Sequence, residues 1–278
     1  MSTGPTHAMS GLLVWGGVSV AALGEALPMT PQTWIVGAVL CSGAALLPDL
    51  DHPEATVAHT FGPLTHGLSK AIHWFSHLVY RATRTRKDAN RHGGHRGVTH
   101  TLVFAVLAGL GTMGVVQWGH KAALIPLLFL FCALAVRGLL HDWTPKGHAL
   151  GVTALSLGLT VLCWHWIEAG PPEQARWCAA AVSMGCLAHC LGDAITEQGC
   201  PILWPVPFSY QTWYPVAPPK VMRMRTGGKV ELGLLLPVLT VAGVWMSVVS
   251  LQRTGLAPWI SYDLLTLHHI PPGLASGR

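Results

Sequence analysis

Seven apolar stretches punctuate the chain, at about residues 11–27, 32–47, 101–118, 122–140, 149–167, 176–195 and 230–250. Each approaches the length, about 17 to 25 residues, that an α-helix needs to cross a bilayer. Gly and Ala occur in all of them, with Ser in most, which suits close helix packing in lipid. The second is short and runs into the acidic stretch "PDLDH", while the sixth carries His189 and Asp193 near its end. Residues 64–80, "LTHGLSKAIHWFSHLVY", are shorter and amphipathic, which predicts an interfacial helix rather than a span. Residues 251–278 form a tail. The pattern predicts an all-α, polytopic integral membrane helix bundle. It forms a single membrane domain over residues 1–278, with about seven spans and one interfacial helix.

Composition points the same way. The chain is 51% hydrophobic and only 10% charged, whereas a soluble domain carries about 25% charged residues. No signal peptide is expected, because the first ten residues hold no Lys or Arg and no cleavage signature follows. The seven cysteines are odd in number and scattered without C-x-x-C, so they read as small packing residues.

Charge sets the expected orientation. Arg81, Arg84, Arg86, Lys87, Arg91 and Arg96 crowd one connection, and Lys220, Arg223, Arg225 and Lys229 another. Assigning both to the cytoplasm predicts a multi-pass protein of the cytoplasmic membrane, N-terminus inside and C-terminus outside. His7, "PDLDH", "HRGVTH", "HDWTPKGH", "HCLGD" and the Arg223–Glu231 segment then all reach the same membrane face. Ionisable groups at that depth are costly unless paired, hydrated or bound to a metal.

Four of the six aspartates, Asp49, Asp51, Asp142 and Asp193, lie within a few positions of a histidine. Such a mixed nitrogen and oxygen set suits Zn²⁺, Mn²⁺ or Fe²⁺. His189 and Asp193, at i and i+4, share a helix face. His95 and His100 converge if the first lies in the loop before a span and the second on its first turn. A structural hydrogen-bond network and a proton or ion pathway are the competing readings of the same groups. His59, His66, His73, His77, His92 and His120 read as ordinary interfacial histidines, and His165, His268 and His269 as irrelevant to the site.

Taken together, an early "TH", "LLPDLDH", "HRGVTHT", and "HxxxD" followed by "GCPILWP" resemble the LexA-regulated, membrane-bound metal-dependent hydrolase family, the YdjM-like proteins. The resemblance covers most of residues 5 to 232. It marks His7, Asp49, Asp51, His52, His95, Arg96, His100, His189 and Asp193 as the site, and "RTGGKVE" adds Glu231. It implies a bacterial inner-membrane, metal-dependent hydrolase. His141, Asp142 and His148 are left open, because "HDWTPKGH" only echoes "GDAITEQG".

The expected chemistry is hydrolysis at one or two divalent ions, zinc first, with manganese or iron as alternatives. The metal ligands would be His7, Asp49, His52, His100, His189, Asp193 and Glu231. Asp51, His95 and Arg96 would serve catalysis, although either Asp49 or Asp51 could be the non-ligand base. Arg223 and Arg225 would hold a phosphate or anchor to lipid headgroups. A site at headgroup level suggests membrane lipids as partners and an amphiphilic phosphoester as substrate. The proline-rich stretch 200–219 would border the lipid entrance or serve as an aromatic belt. No nucleic-acid partner is expected. The chain lacks G-x-S-x-G and H-E-x-x-H, which argues against a serine esterase and a zincin protease.

Overall fold

The structure, a computed structural model, describes residues 2–22, 29–55, 58, 63–89, 93–140 and 149–256. The tail beyond 256 and the trio His141, Asp142 and His148 lie outside the described residues, as do His59, Arg91 and His92. The described chain is all-α. Eight helices follow one another: α1 (Gly4–Ala22), α2 (Pro31–Ala44), α3 (Pro63–Thr83), α4 (Leu102–Trp118), α5 (Lys121–Leu139), α6 (Ala149–Glu168), α7 (Gln174–Ala194) and α8 (Leu236–Arg253).

Fewer helices than seven have the length and apolarity of a span. Four candidates meet both conditions among the described residues: Pro31–Asp51, Lys121–Leu139, Leu150–Glu168 and Glu231–Arg253. The other three expected spans fall on α1, α4 and α7. Helix α4 is apolar but only 17 residues long. Helix α1 opens with Pro5, Thr6 and His7, and α7 carries Gln174, Arg176, His189 and Asp193. Those polar ends lower the average of helices that are otherwise apolar. They are also where the site lies.

Helix α2 is the axis of the bundle. It packs against α1, α5 and α7, while α4 lies on α7, α6 on α5 and α8 on α1. Burial follows this order: 83% of the most apolar window within Pro31–Asp51 is buried, against 11% of that within Glu231–Arg253. Thr30 caps α2 by accepting from the Thr33 amide at 3.1 Å, and Pro31 supplies a φ already suited to the first turn. Glycines let the axis be approached closely. A Cβ at Gly185 of α7 would lie 2.3 Å from the Cys41 carbonyl oxygen, and one at Gly43 would lie 2.2 Å from that of Phe131. All seven cysteines are free and buried, so they pack rather than crosslink.

Helix α3 covers the expected interfacial segment and is built inside out. Thr65, Ser69, Ser76 and Tyr80 are buried, whereas Leu68, Trp74, Phe75 and Leu78 are exposed. Its polar face therefore turns to the protein and its apolar face outward, the arrangement of a helix bathed in lipid rather than water. Between α7 and α8, Cys200 and Val216 exchange two backbone hydrogen bonds, closing a hairpin whose tip is Phe208–Gln211.

Candidate metal centre

Four stretches of chain meet at one end of the bundle. Helix α2 stops at Ala44, and Pro48 then opens a 3-10 turn, Pro48–Asp51, that carries both aspartates. His189 and Asp193 lie in the last two turns of α7. His7 lies in the first turn of α1. His100 ends a 3-10 turn, Val98–His100, and Thr101 then caps α4 by accepting from the Phe104 amide at 3.1 Å. His7, Asp51, His100, His189 and Asp193 are fully buried, and Asp49 nearly so.

The innermost atoms are His100 Nε2, His189 Nε2, Asp49 Oδ1 and Asp193 Oδ2. The two imidazole nitrogens stand 3.2 Å apart. Asp193 Oδ2 lies 3.5 Å from that of His100 and 3.8 Å from that of His189. Asp49 Oδ1 lies 3.8 Å from the first and 3.5 Å from the second. Donors around a tetrahedral zinc at about 2.0–2.1 Å stand roughly 3.3 Å apart.

The tautomers follow from the outer nitrogens. His189 Nδ1 is 2.8 Å from the carbonyl oxygen of Ala45, which can only accept, so Nδ1 carries the hydrogen. The Thr99 hydroxyl donates to Asp51 Oδ2 at 2.6 Å, leaving its oxygen and that carboxylate to accept from His100 Nδ1 at 3.0 and 3.3 Å. In the neutral rings, both Nε2 atoms therefore present lone pairs to each other. Two lone pairs and two carboxylate oxygens, one of them paired with Arg96, repel at this distance unless a proton or a metal ion sits among them. Asp49 Oδ1 has no hydrogen-bond partner among the described residues. This donor set fits a divalent metal. Three groups have donor atoms within 4.8 Å of one another: His7–Asp49–His189, Asp51–His95–His100 and His100–His189–Asp193. The shared histidines make them one continuous cluster.

Asp51 belongs to the surround. Besides Thr99 and His100, it accepts from His95 Nδ1 at 2.8 Å, and its backbone oxygen accepts from His73 Nδ1 at 2.8 Å. A carboxylate behind a ligating imidazole fixes the ring and raises its basicity. His95 is a quarter exposed. Burial pushes its pKa down against the opposing pull of Asp51, and the net shift is downward. His52 stands at the rim, accepting from the Glu54 amide at 3.2 Å and meeting the His95 ring edge-on at 4.7 Å. His7 stacks on His189 with 3.8 Å between centroids, and its Nε2 is 3.4 Å from Asp193 Oδ1.

Arg96 is buried in the left-handed region, φ 51°. Its guanidinium pairs with Asp193 Oδ2 at 3.0 Å, reaches Thr196 Oγ1 at 3.2 Å and donates to the carbonyl of Gly199. A strained backbone of this kind costs about 1–3 kcal/mol and persists only where its surroundings hold it. Glu231 joins none of the three metal groups. It is buried in a π-helical turn, Glu231–Leu235, and accepts from the amides of Thr3 at 2.5 Å and Gly227 at 2.7 Å. Arg223 donates to the carbonyls of Pro218 and Glu197, at 2.9 and 3.1 Å, and Arg225 is exposed.

Two participants escape a reading of the sequence, Thr99 and His73. Thr99 sits inside "HRGVTH", where only its neighbour draws attention. His73 could have been found from its register, since 69, 73 and 76 line the polar face of α3 opposite Leu68, Phe75 and Leu78.

A family model described as YdjM inner membrane protein matches residues 1–253, nearly the whole described chain. The chain belongs to the YdjM family. No curated protein and no solved structure matches it. As a YdjM-family inner membrane protein with several apolar helices, the chain is a membrane protein, and its buried histidines and aspartates include groups able to hold a metal ion.

Proposed function

We propose that the protein is a membrane-embedded, metal-dependent hydrolase acting on a phospholipid or another lipid-linked phosphoester. One observation carries the reading: the lone pairs of His100 and His189, 3.2 Å apart, with Asp49 and Asp193 beside them. His100, His189, Asp49 and Asp193 would hold a divalent ion, zinc first by ligand type, with His7 next to them. Such an ion supplies Lewis acidity for a phosphoryl oxygen and brings the pKa of water to about 7.

The remaining roles belong to the chain. Asp51 orients His100 and, through His95 Nδ1, leaves His95 Nε2 facing the part-exposed edge as a proton acceptor. Arg96 holds Asp193 and balances its charge. The apolar outer face of α3, next to the site, supports a substrate that stays in the lipid layer. By the positive-inside rule this end of the bundle faces the cytoplasm.

Metal content of the purified chain tests the reading, beside Asp49→Ala and His100→Ala. About one or two transition-metal ions per parent chain, lost in both variants, are expected, followed by phosphoester release from phospholipid micelles. A folded parent that takes up no zinc or manganese would sink it. A second reading draws on the unbroken ring contacts from buried His7 through His189 and His100 to part-exposed His95, which suit a proton path. Proton flux into vesicles that survives chelation would favour that path.

A further inference from the structure

The hairpin from Cys200 to Val216 lies outside the metal cluster, yet the protein fixes it firmly. Asp88, just beyond α3, is the joint. Its carboxylate accepts from the Thr85 amide at 2.7 Å, the Thr85 hydroxyl at 3.0 Å, the Thr212 amide and hydroxyl at 3.1 Å each, and the Trp213 amide at 3.0 Å. Gln211 Nε2 donates to the Lys87 carbonyl at 2.7 Å, and Trp213 Nε1 donates to Thr83 Oγ1 at 3.1 Å. Trp213 stacks on Trp204 at 4.8 Å and meets Tyr80 of α3 at 5.2 Å. The tip is therefore rigid and continuous with the interfacial helix.

What this rigid tip presents is unusual for a loop. Phe208 is 65% exposed, Tyr210 78% and Val206 59%. The ammonium of Lys87 sits 4.4 Å over the Tyr210 ring. Between the tip and the end of α3 lies a cavity of about 530 Å³, lined by Thr85, Arg86, Lys87, Pro207 and Tyr210. Arg86 and Lys87 bring positive charge to it, and the neighbouring carboxylate, Asp88, is turned away into its five donors. Trp74, Phe75 and Leu78 extend the exposed apolar surface along α3.

Cations bordered by projecting aromatic and aliphatic side chains match the boundary layer of a bilayer, where phosphates meet acyl chains. A soluble anion would satisfy the cations but leave Val206 and Phe208 in water. We propose that this cavity binds the headgroup of an anionic phospholipid, with Arg86 and Lys87 on the phosphate and Val206 and Phe208 among the acyl chains. Tyr210 lines one side of this open cavity and carries the Lys87 ammonium on its face. The proposal stands apart from the metal cluster and needs neither an ion nor turnover.

The test is native mass spectrometry of the full chain in detergent, titrated with phosphatidylglycerol or phosphatidylcholine of matched acyl chains. The parent should retain phosphatidylglycerol several-fold more than phosphatidylcholine. Arg86→Gln combined with Lys87→Gln should lose that preference, and Phe208→Ser should weaken retention of both lipids. Arg176→Gln, an exposed change at the start of α7, serves as the control and should retain it. These side chains are exposed, so the variants are expected to elute from size exclusion as the parent does. Equal retention of the two lipids by the parent, or a double variant that keeps the preference, overturns the proposal. Displacement of the lipid by inorganic phosphate alone also overturns it.

Discussion

Arg96 and Asp193 form a buried ion pair, 3.0 Å from Nη2 to Oδ2, where α7 gives way to the hairpin loop. The same guanidinium holds Gly199 and Thr196, so one side chain fixes both a candidate ligand and the chain that follows it. Arg96→Met would strand a buried carboxylate, at a cost of about 3–5 kcal/mol. Arg96→Lys keeps the charge but not the fork, so its loss should be smaller. Thermal unfolding in detergent, with a chelator present to remove any metal contribution, checks the order. A parent-like midpoint for Arg96→Met would refute the role assigned to the pair.

Asp49 and Asp51 should separate cleanly by metal affinity. Asp51 acts through the His100 ring, so Asp51→Asn should weaken binding about 10–100-fold without abolishing it. Asp49→Ala removes a donor atom itself and should be more severe. Competition titrations with a chromophoric chelator measure both. Equal losses would mean that the two carboxylates share one role.

Glycine substitutions should divide by location. Gly185→Ala drives a Cβ against the Cys41 carbonyl and should cost about 1–3 kcal/mol. Gly67, on α3, has nothing within 4 Å of the added atom. There Gly67→Ala should be neutral or gain roughly 0.5–1 kcal/mol of helix preference. Melting both variants beside the parent tests the pair, and a neutral Gly185→Ala would contradict the close contact of α7 with α2.

The joint at Asp88 makes a prediction about acid. Burial pushes its pKa up, but donors from Thr85, Trp213 and Thr212 outweigh that and hold it below the ordinary carboxylate value. A depressed folded-state pKa gives stability that is present above the unfolded value, about 3.9, and is lost as pH falls through the folded one. Asp88→Asn should therefore loosen the hairpin near neutral pH and differ little from the parent in strong acid. Hydrogen exchange over residues 200–216 reports this directly. A difference that grows on acidification would reverse the sign.

Much of the architecture was legible because apolar length and i,i+4 spacing are local properties. His189 and Asp193 share a face of α7, and both reach the cluster. Which of Asp49 and Asp51 lies beside the two inner imidazole nitrogens was not legible. A 3-10 turn has three residues per turn, so positions two apart point in different directions, and only the fold decides which meets the histidines. Glu231 entered the ligand set only through the resemblance of "RTGGKVE" to the family's late segment. Its oxygens are engaged by the amides of Thr3 and Gly227, partners that no sequence pattern announces. Four of the seven expected spans meet the length and apolarity of a span among the described residues, and polar residues at the helix ends lower the average in α1 and α7.

The innermost donors come from positions 49, 100, 189 and 193, with His7 stacked beside them. A ribosome delivers these in order, and the first must wait for the last. Until α7 has emerged, His7, Asp49 and His100 can form no closed set with the two groups that complete it. The cluster is thus a late product of synthesis, closed by a helix that adds its final residues beside chain made far earlier. A chain arrested before Asp193 would carry every preceding helix and still lack the pocket, so a complete donor set would mark the molecules whose insertion had passed α7, with α8 still to follow.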